Sequence, residues 1–313
     1  MKEPHFIIVG VGRSGTTLLQ AMLNAHPEVA ILPEIHFIRR FLFTGKLEQA
    51  GKLGYRQGIL PLFKTDPYIK RLTPFLAIDQ LPLSNLDGTR AIAPQLFAAL
   101  LSAYQQAVHK PIIGIKEPRA IEWIPQLFAL YHQTRIVHIV RDPRDVLASK
   151  LKAGWSKQKG VMRHIIVGHY QLTLATRAQS QYPHQMLTIR YEDLLTSPEK
   201  TLQMVCHFLD IPYTEAMLSF QDTAKTIVSE EEREWKANVF KPLMRHNMGK
   251  WQQELSPVWI DRIERTMAPH FAHYQYAISA PQLPRFQRLR VILLSHALNL
   301  GTHVLLKTRR QTP

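Results

Sequence analysis

The sequence has 313 residues, 45% of them hydrophobic and 20% charged, the balance of an ordinary globular protein with a sizeable core. Its single cysteine, Cys206, excludes an internal disulfide. The first apolar run is only four residues long, so no secretory leader is expected and a cytoplasmic protein is the default. The formal charge of +15 invites a polyanionic partner, but no Asp or Glu follows Glu264, whereas Arg265, Arg285, Arg288, Arg290, Lys307, Arg309 and Arg310 do. Much of the excess is therefore a C-terminal feature, and nucleic acid is not an expected partner.

Phe6 to Val9 is an apolar run of the kind found in a strand buried on both faces of a parallel sheet. Gly10, Gly12 and Gly15 follow, and then a helical pattern with Leu18, Leu19, Met22 and Leu23 that stops before Pro27. Strand, glycine turn and helix together form a phosphate-binding loop, in which backbone N–H groups and a helix N-terminus point at an anion. The spacing Gly10-x4-Gly15 and Thr17 match the nucleotide P-loop, but Thr16 occupies the position of its lysine and the cation has moved to Arg13. That lysine reaches β- and γ-phosphates beside magnesium, so its loss argues against an ATPase or kinase. An arginine fork suits a compact oxyanion cluster.

Glu28 to Leu32 predicts a second strand that delivers Glu34 to the carboxyl edge of the sheet, where open α/β folds place their chemistry. Ile35 to Phe43 predicts a helix with Arg39 and Arg40 on its polar side. From Gly45 to about Thr89 the pattern degrades into short helices and loops expected to cover the site and set acceptor specificity. Pro94 to Val108 has one apolar face through Leu96, Leu100, Leu101 and Tyr104. Ile112 to Ile115 predicts a strand ending at Lys116-Glu117-Pro118. Trp123 to Leu130 predicts a helix and Arg135 to Val140 a strand, after which Asp142 caps a helix with Pro143 at its first position. Met162 to Gln181 is helical, Met186 to Arg190 a strand, and Pro198 to Leu209 a helix. Val228 to Asn247 is irregular. The fold class expected is α/β, a P-loop-like parallel sheet flanked by helices, with additional helices over the site. One domain spans 1–284. Residues 285–313 form a basic amphipathic helical extension whose polar stripe at Arg288, Ser295, Asn299 and Thr302 argues against a membrane span. This helix packs on its own domain or on a partner chain, or lies peripherally on an anionic membrane.

The run GVGRSGTTLL, followed by NAHPEVAILPEIHFI, resembles the 5′-phosphosulfate loop of sulfotransferases that use 3′-phosphoadenosine 5′-phosphosulfate (PAPS). It is most similar to the branch containing protein-tyrosine sulfotransferases and their bacterial relatives, and further matching segments extend to Trp251. The resemblance implies a loop of Arg13, Ser14, Gly15, Thr16 and Thr17 for the 5′ end of the cofactor. Glu34 stands twenty-one residues after Arg13, as the catalytic glutamate of that branch does, and is expected to be the general base. The alternatives are a structural carboxylate paired with Arg39 or Arg40, and His36 as the base. Lys116 resembles the lysine that contacts the bridging oxygen and the transferring group; otherwise it is a surface lysine paired with Glu117. IVHIVRDPRDVLASKL is similar to the family's 3′-phosphate site, with Arg141 followed by Ser149 eight residues on. Arg141 offers a bidentate fork and Ser149 a hydroxyl. The tyrosine-specific relatives carry a further arginine four residues after that serine; here the position is Ala153, and Lys152 is the neighbouring cation. Tyr191 and Lys250 match later cofactor-contacting positions, although Tyr191 suits a core equally well. Trp235 stands where the family has an assisting serine, with Thr226 and Ser229 nearby.

No His-Glu-x-x-His or Cys-x-x-Cys arrangement occurs, so no metal is expected. Gly12-Arg13-Ser14-Gly15 lacks the spacing of a nucleophile elbow. The expected reaction is in-line sulfuryl transfer from PAPS to an acceptor hydroxyl on a carbohydrate, lipid, small metabolite or peptide tyrosine. The alternatives are an ATP-dependent P-loop phosphotransferase and a non-catalytic protein that binds polyanions or membranes.

Overall fold

A computed structural model describes residues 1–81 and 91–308. Five strands form one parallel sheet flanked by helices: β1 (Phe6–Val9), β2 (Val29–Ile31), β3 (Ile112–Lys116), β4 (Arg135–Val140) and β5 (Met186–Arg190), in the order β2-β3-β1-β4-β5. Each apolar run predicted as a strand is one. The flanking helices are α1 (Thr16–Asn24), α2 (Ile92–Val108), α3 (Ile124–Leu130), α4 (Pro143–Lys152), α5 (Val161–Gln181), α6 (Pro198–Leu209), α7 (Pro257–Thr266) and α8 (Arg285–Thr308). The chain divides into two compact units. One comprises Met1–Val9, Thr16–Val137 and Glu199–Pro242; the other comprises Gly10–Gly15, His138–Pro198 and Leu243–Pro313.

In the first unit, β1 is buried at all four residues. It pairs with β3 through Phe6–Gly114, Ile7–Ile115 and Ile8–Lys116. β3 pairs in turn with β2 through Val29–Ile112, Ala30–Ile113 and Ile31–Gly114. Gly114 is dictated by its neighbour, since a Cβ there would lie 2.3 Å from the Phe6 ring. This register puts Lys116 at the carboxyl end of β3, level with the end of β1. Helix α2 turns Leu96, Phe97, Leu100, Leu101 and Tyr104 inward, and the Tyr104 hydroxyl donates to the Ile31 carbonyl at 3.3 Å.

The helix expected over Ile35–Phe43 is reduced to a π-helical turn, Ile38–Leu42. Its opening N–H groups are held by a distant residue: the Glu117 carboxylate accepts from Ile38 N at 3.0 Å and from Arg39 N at 2.9 Å. Between Gly45 and Leu81 the chain forms short helical pieces, including Tyr55–Ile59, Leu60–Thr65 and Ile69–Leu72. The remainder of that predicted covering region, 82–90, lies outside the described residues.

In the second unit, α4 begins as predicted: the Asp142 carboxylate accepts from Arg144 N, and Pro143 is the first helical residue. Arg144 fixes this helix start from inside. Its guanidinium donates to Asp142 at 2.7 Å and to Glu264 at 2.5 Å and stacks 3.7 Å from the Trp251 ring. Helix α8 packs against α7 and α5. Arg309 and Arg310 of the predicted basic tail lie outside the described residues.

Candidate functional site

The residues singled out in the sequence fall into two groups, one in each unit. In the second unit the Gly10–Gly15 turn curls tightly, with Ser14 N donating to the Val11 carbonyl at 3.0 Å. Two of its residues are left-handed, Gly15 at φ 98° and, against ordinary preference, Arg13 at φ 80°. Gly15 has a second reason to be glycine: an added Cβ would sit 2.3 Å from the ring of Tyr191. Tyr191 is therefore a core tyrosine of this unit and also the wall against which the loop turns.

Arg13 and Arg141 converge on this turn. Arg13 Nε donates to Ser149 Oγ at 3.0 Å, so the arginine of the loop and the serine of α4 form one network. Arg141 Nη2 donates to the Asn247 carbonyl at 3.0 Å, its guanidinium lies 4.5 Å from the Tyr191 ring, and its Nη1 reaches the Arg13 carbonyl at 3.5 Å. Burial, and after it the charge of Arg141, push the Arg13 guanidinium below its ordinary value. Two guanidiniums held this close in a buried setting repel each other, and an anion would relieve that repulsion. Arg141 Nε is buried and has no hydrogen-bond partner among the described residues, an open donor that a phosphate oxygen would satisfy.

The segment carrying Lys250 is fixed by Asp145, whose carboxylate accepts from Gly249 N at 2.7 Å and Trp251 N at 3.0 Å. Lys250 itself is exposed. Asn247 adds a bond the sequence reading did not foresee, donating from Nδ2 to the Tyr191 hydroxyl at 2.7 Å. Lys152 turns to Glu254 at 2.5 Å, so its charge is engaged by that carboxylate.

In the first unit Glu34 is buried and forms the centre of a charged cluster. Its carboxylate accepts from Lys116 Nζ and, at 3.1 Å, from Lys236 Nζ, while His36 Nδ1 stands 3.5 Å from the other oxygen. Arg71 donates to the Glu34 carbonyl at 3.0 Å, and Glu232 accepts from Lys236 at 2.7 Å. Neither pairing weighed for these two residues occurs among the contacts described. Glu34 is not paired with Arg40, which binds Asp66, nor is its carboxylate bound to Arg39 among the contacts described. Lys116 is not a surface lysine, since its side chain is 1% exposed, and Glu117 is occupied by the turn at Ile38.

Burial alone would raise the Glu34 carboxyl, but the charges of Lys116 and Lys236 outweigh it and hold the group far below the usual carboxylate range. Burial draws the Lys116 ammonium down to about 8 despite the opposing pull of Glu34. Lys236 is raised: burial works against it, but Glu34 and Glu232 prevail. Burial also lowers His36 to about 3, against the pull of Glu34, so the imidazole is neutral at pH 7. Its backbone is left-handed at φ 53° and its ring meets Tyr68 edge-on at 4.5 Å.

Lys236, Glu232 and Arg71 escaped the sequence reading because they come from irregular stretches. The available signal was the Glu232–Lys236 spacing of four, which on a helix brings acid and base together. The hydroxyls weighed as the assisting serine differ: Thr226 Oγ1 donates to the Thr223 carbonyl at 2.8 Å, whereas Ser229 Oγ is buried without a hydrogen-bond partner among the described residues. Thr16 and Thr17 open α1, with Thr16 buried at 5% exposure. No group of His, Cys, Asp and Glu suited to a metal ion occurs among the described residues.

Comparison with known proteins accords with this chemistry. The profile of the sulfotransferase family matches residues 4–215. The chain is 24% identical over 287 residues to protein-tyrosine sulfotransferase 1 of Danio rerio, covering 87% of this chain and 72% of that one. It is also 24% identical over 246 residues to a putative protein-tyrosine sulfotransferase of Caenorhabditis briggsae, covering 76% and 77%. Among solved structures, a sulfotransferase domain from the curacin biosynthetic pathway superposes with a TM-score of 0.62 at 20% identity, covering 89% of this chain and all of that one.

Proposed function

This chain belongs to the sulfotransferase family, and we propose that it moves the sulfuryl group of PAPS onto an acceptor hydroxyl by in-line transfer. PAPS, when bound, supplies an activated sulfuryl group on a phosphate leaving group. The residues of the Gly10–Gly15 turn fit such a double anion, and the observation that carries the reading is the pair Arg13 and Arg141, with the buried Nε of Arg141 that has no hydrogen-bond partner among the described residues. Arg13, Ser14, Gly15, Thr16 and Thr17 hold the 5′ end, and Arg141 and Ser149 hold the 3′-phosphate. Tyr191 shapes the loop, and Lys250 adds a cation.

Glu34 takes the proton of the acceptor hydroxyl, while Lys116 and Arg13 neutralise charge that develops on the transferring group and the departing oxygen. Glu34 is ionised across the working pH range, but bound to two lysines it is a weak base. Its basicity rises as Lys116 and Lys236 turn their charge from it toward the sulfonate oxygens. His36, neutral, stands alongside the carboxylate. The acceptor is a hydroxylated molecule, whether carbohydrate, lipid, small metabolite or peptide tyrosine.

Calorimetric titration with adenosine 3′,5′-bisphosphate tests the cofactor. The wild type binds it and does not bind ATP–magnesium, and Arg13→Ala and Arg141→Ala each weaken binding by about 10- to 100-fold, the loss of one or two charge-assisted hydrogen bonds. Binding of ATP–magnesium without the bisphosphate would instead support a phosphotransferase.

A further inference from the structure

Helix α8 carries apolar side chains on its packed face and a second apolar stripe on its outer face. The face that packs on α5 and α7 consists of Val291, Ser295, Leu298, Thr302 and Leu306. Much of the polar stripe thus lies inside: Ser295 and Thr302 are 5% and 1% exposed, and Ser295 Oγ has no hydrogen-bond partner among the described residues. The outer face carries Phe286, Leu289, Leu293, Leu300 and Val304, each at least 58% exposed. Their steps of three, four, seven and four residues keep them in one stripe along the helix.

We propose that this stripe docks on the surface of an anionic lipid bilayer, with α8 lying in the plane of the interface. Charge selects this occupant. Arg285, Arg288, Arg290 and Lys307 are exposed at the two ends of the same helix, and no Asp or Glu occurs anywhere after Glu264. Leucines and a phenylalanine that enter the acyl boundary, flanked by cations at the headgroup level, are the two signals that hold an interfacial helix. A second copy of the chain is a poorer partner for this face. Parallel pairing would bring Arg285 against Arg285, antiparallel pairing would bring it near Lys307, and the helix has no carboxylate to compensate. The helix is long and apolar enough to cross a membrane, but its inner face is committed to α5 and α7, so it lies on the bilayer instead of spanning it.

The test is co-sedimentation of the full chain with phosphatidylcholine vesicles with or without about 30% phosphatidylserine. The wild type binds the anionic vesicles about tenfold more than the neutral ones, and about 0.5 M salt removes most of that preference. Leu293→Glu with Leu300→Glu, two exposed positions, reduces binding at least about tenfold without changing the thermal transition. Arg285→Glu with Arg290→Glu abolishes the preference for anionic lipid. Absence of wild-type binding, or binding untouched by the leucine substitutions, overturns the proposal. So does extraction only by detergent and not by salt, which would indicate a span. A dimer in sedimentation velocity that the leucine substitutions dissociate, without vesicle binding, would assign the stripe to a second copy.

Discussion

The two charged groups of this molecule are built on opposite electrostatic plans. Around Glu34, charges of both signs are interleaved and bonded to each other: Lys116 and Lys236 on Glu34, Lys236 on Glu232, Arg71 near Glu232. Around the Gly10–Gly15 turn two arginines converge: Arg13 donates to the neutral Ser149 hydroxyl, and Arg141 reaches the Arg13 carbonyl at 3.5 Å with the Asp145 carboxylate 3.6 Å away. An interleaved cluster is stable by itself and changes basicity when one partner is drawn off, which suits proton transfer. A like-charge cluster is stabilised by an incoming anion, which suits binding. The proposed division of labour between chemistry and affinity rests on that difference.

Substitutions sharpen the contrast because each plan fails differently. The largest effect expected in the first cluster is on rate. On the proposed mechanism, Lys116→Met removes the cation that serves the transferring group and lowers turnover about 10²- to 10³-fold, measured as labelled sulfate transferred to a phenolic acceptor. Affinity for adenosine 3′,5′-bisphosphate falls much less than in Arg141→Ala; equal losses would erase the distinction. Next in size is stability. Glu117→Ala leaves the buried N–H groups of Ile38 and Arg39 without their acceptor and costs about 2–4 kcal/mol, read from urea denaturation. An unchanged midpoint would show that another acceptor takes over.

The smallest effect is a pH limb. In the proposed mechanism Lys116 acts as a cation, and its ammonium is drawn down to about 8 by burial. The active form is present below that pH, so kcat/KM falls as pH rises through about 8. Lys116→Arg, which retains activity if a cation suffices there, loses this limb because a guanidinium stays charged. A limb unmoved by that substitution would assign the titration to another group.

Much of the fold was legible because its strands are short continuous apolar runs with glycine or proline beside them, as in Phe6–Val9 before Gly10. The same is true of Asp142-Pro143, a cap written in two adjacent residues. The helix over Ile35–Phe43 was overestimated because its limit is imposed by Glu117, some eighty residues away, which no local pattern displays. In the site, Arg13, Arg141 and Ser149 were legible as a motif, and the structure joins them in one network. Lys236 was not legible, because a lysine in an irregular segment gains meaning only from the buried carboxylate it reaches. The orientation of α8 was half legible: the polar stripe could be read in the sequence, but only packing shows that Ser295 and Thr302 face inward and leave an apolar stripe outside.

The central claim is that Glu34 performs proton chemistry while the loop binds. Glu34→Gln keeps the shape of the side chain and removes its charge, so two readouts on one variant decide the matter. The account predicts that turnover falls about 10²- to 10⁴-fold while the affinity for adenosine 3′,5′-bisphosphate, measured by calorimetry, stays close to that of the wild type. Full turnover in Glu34→Gln, or a loss of affinity as large as that of Arg141→Ala, would contradict it.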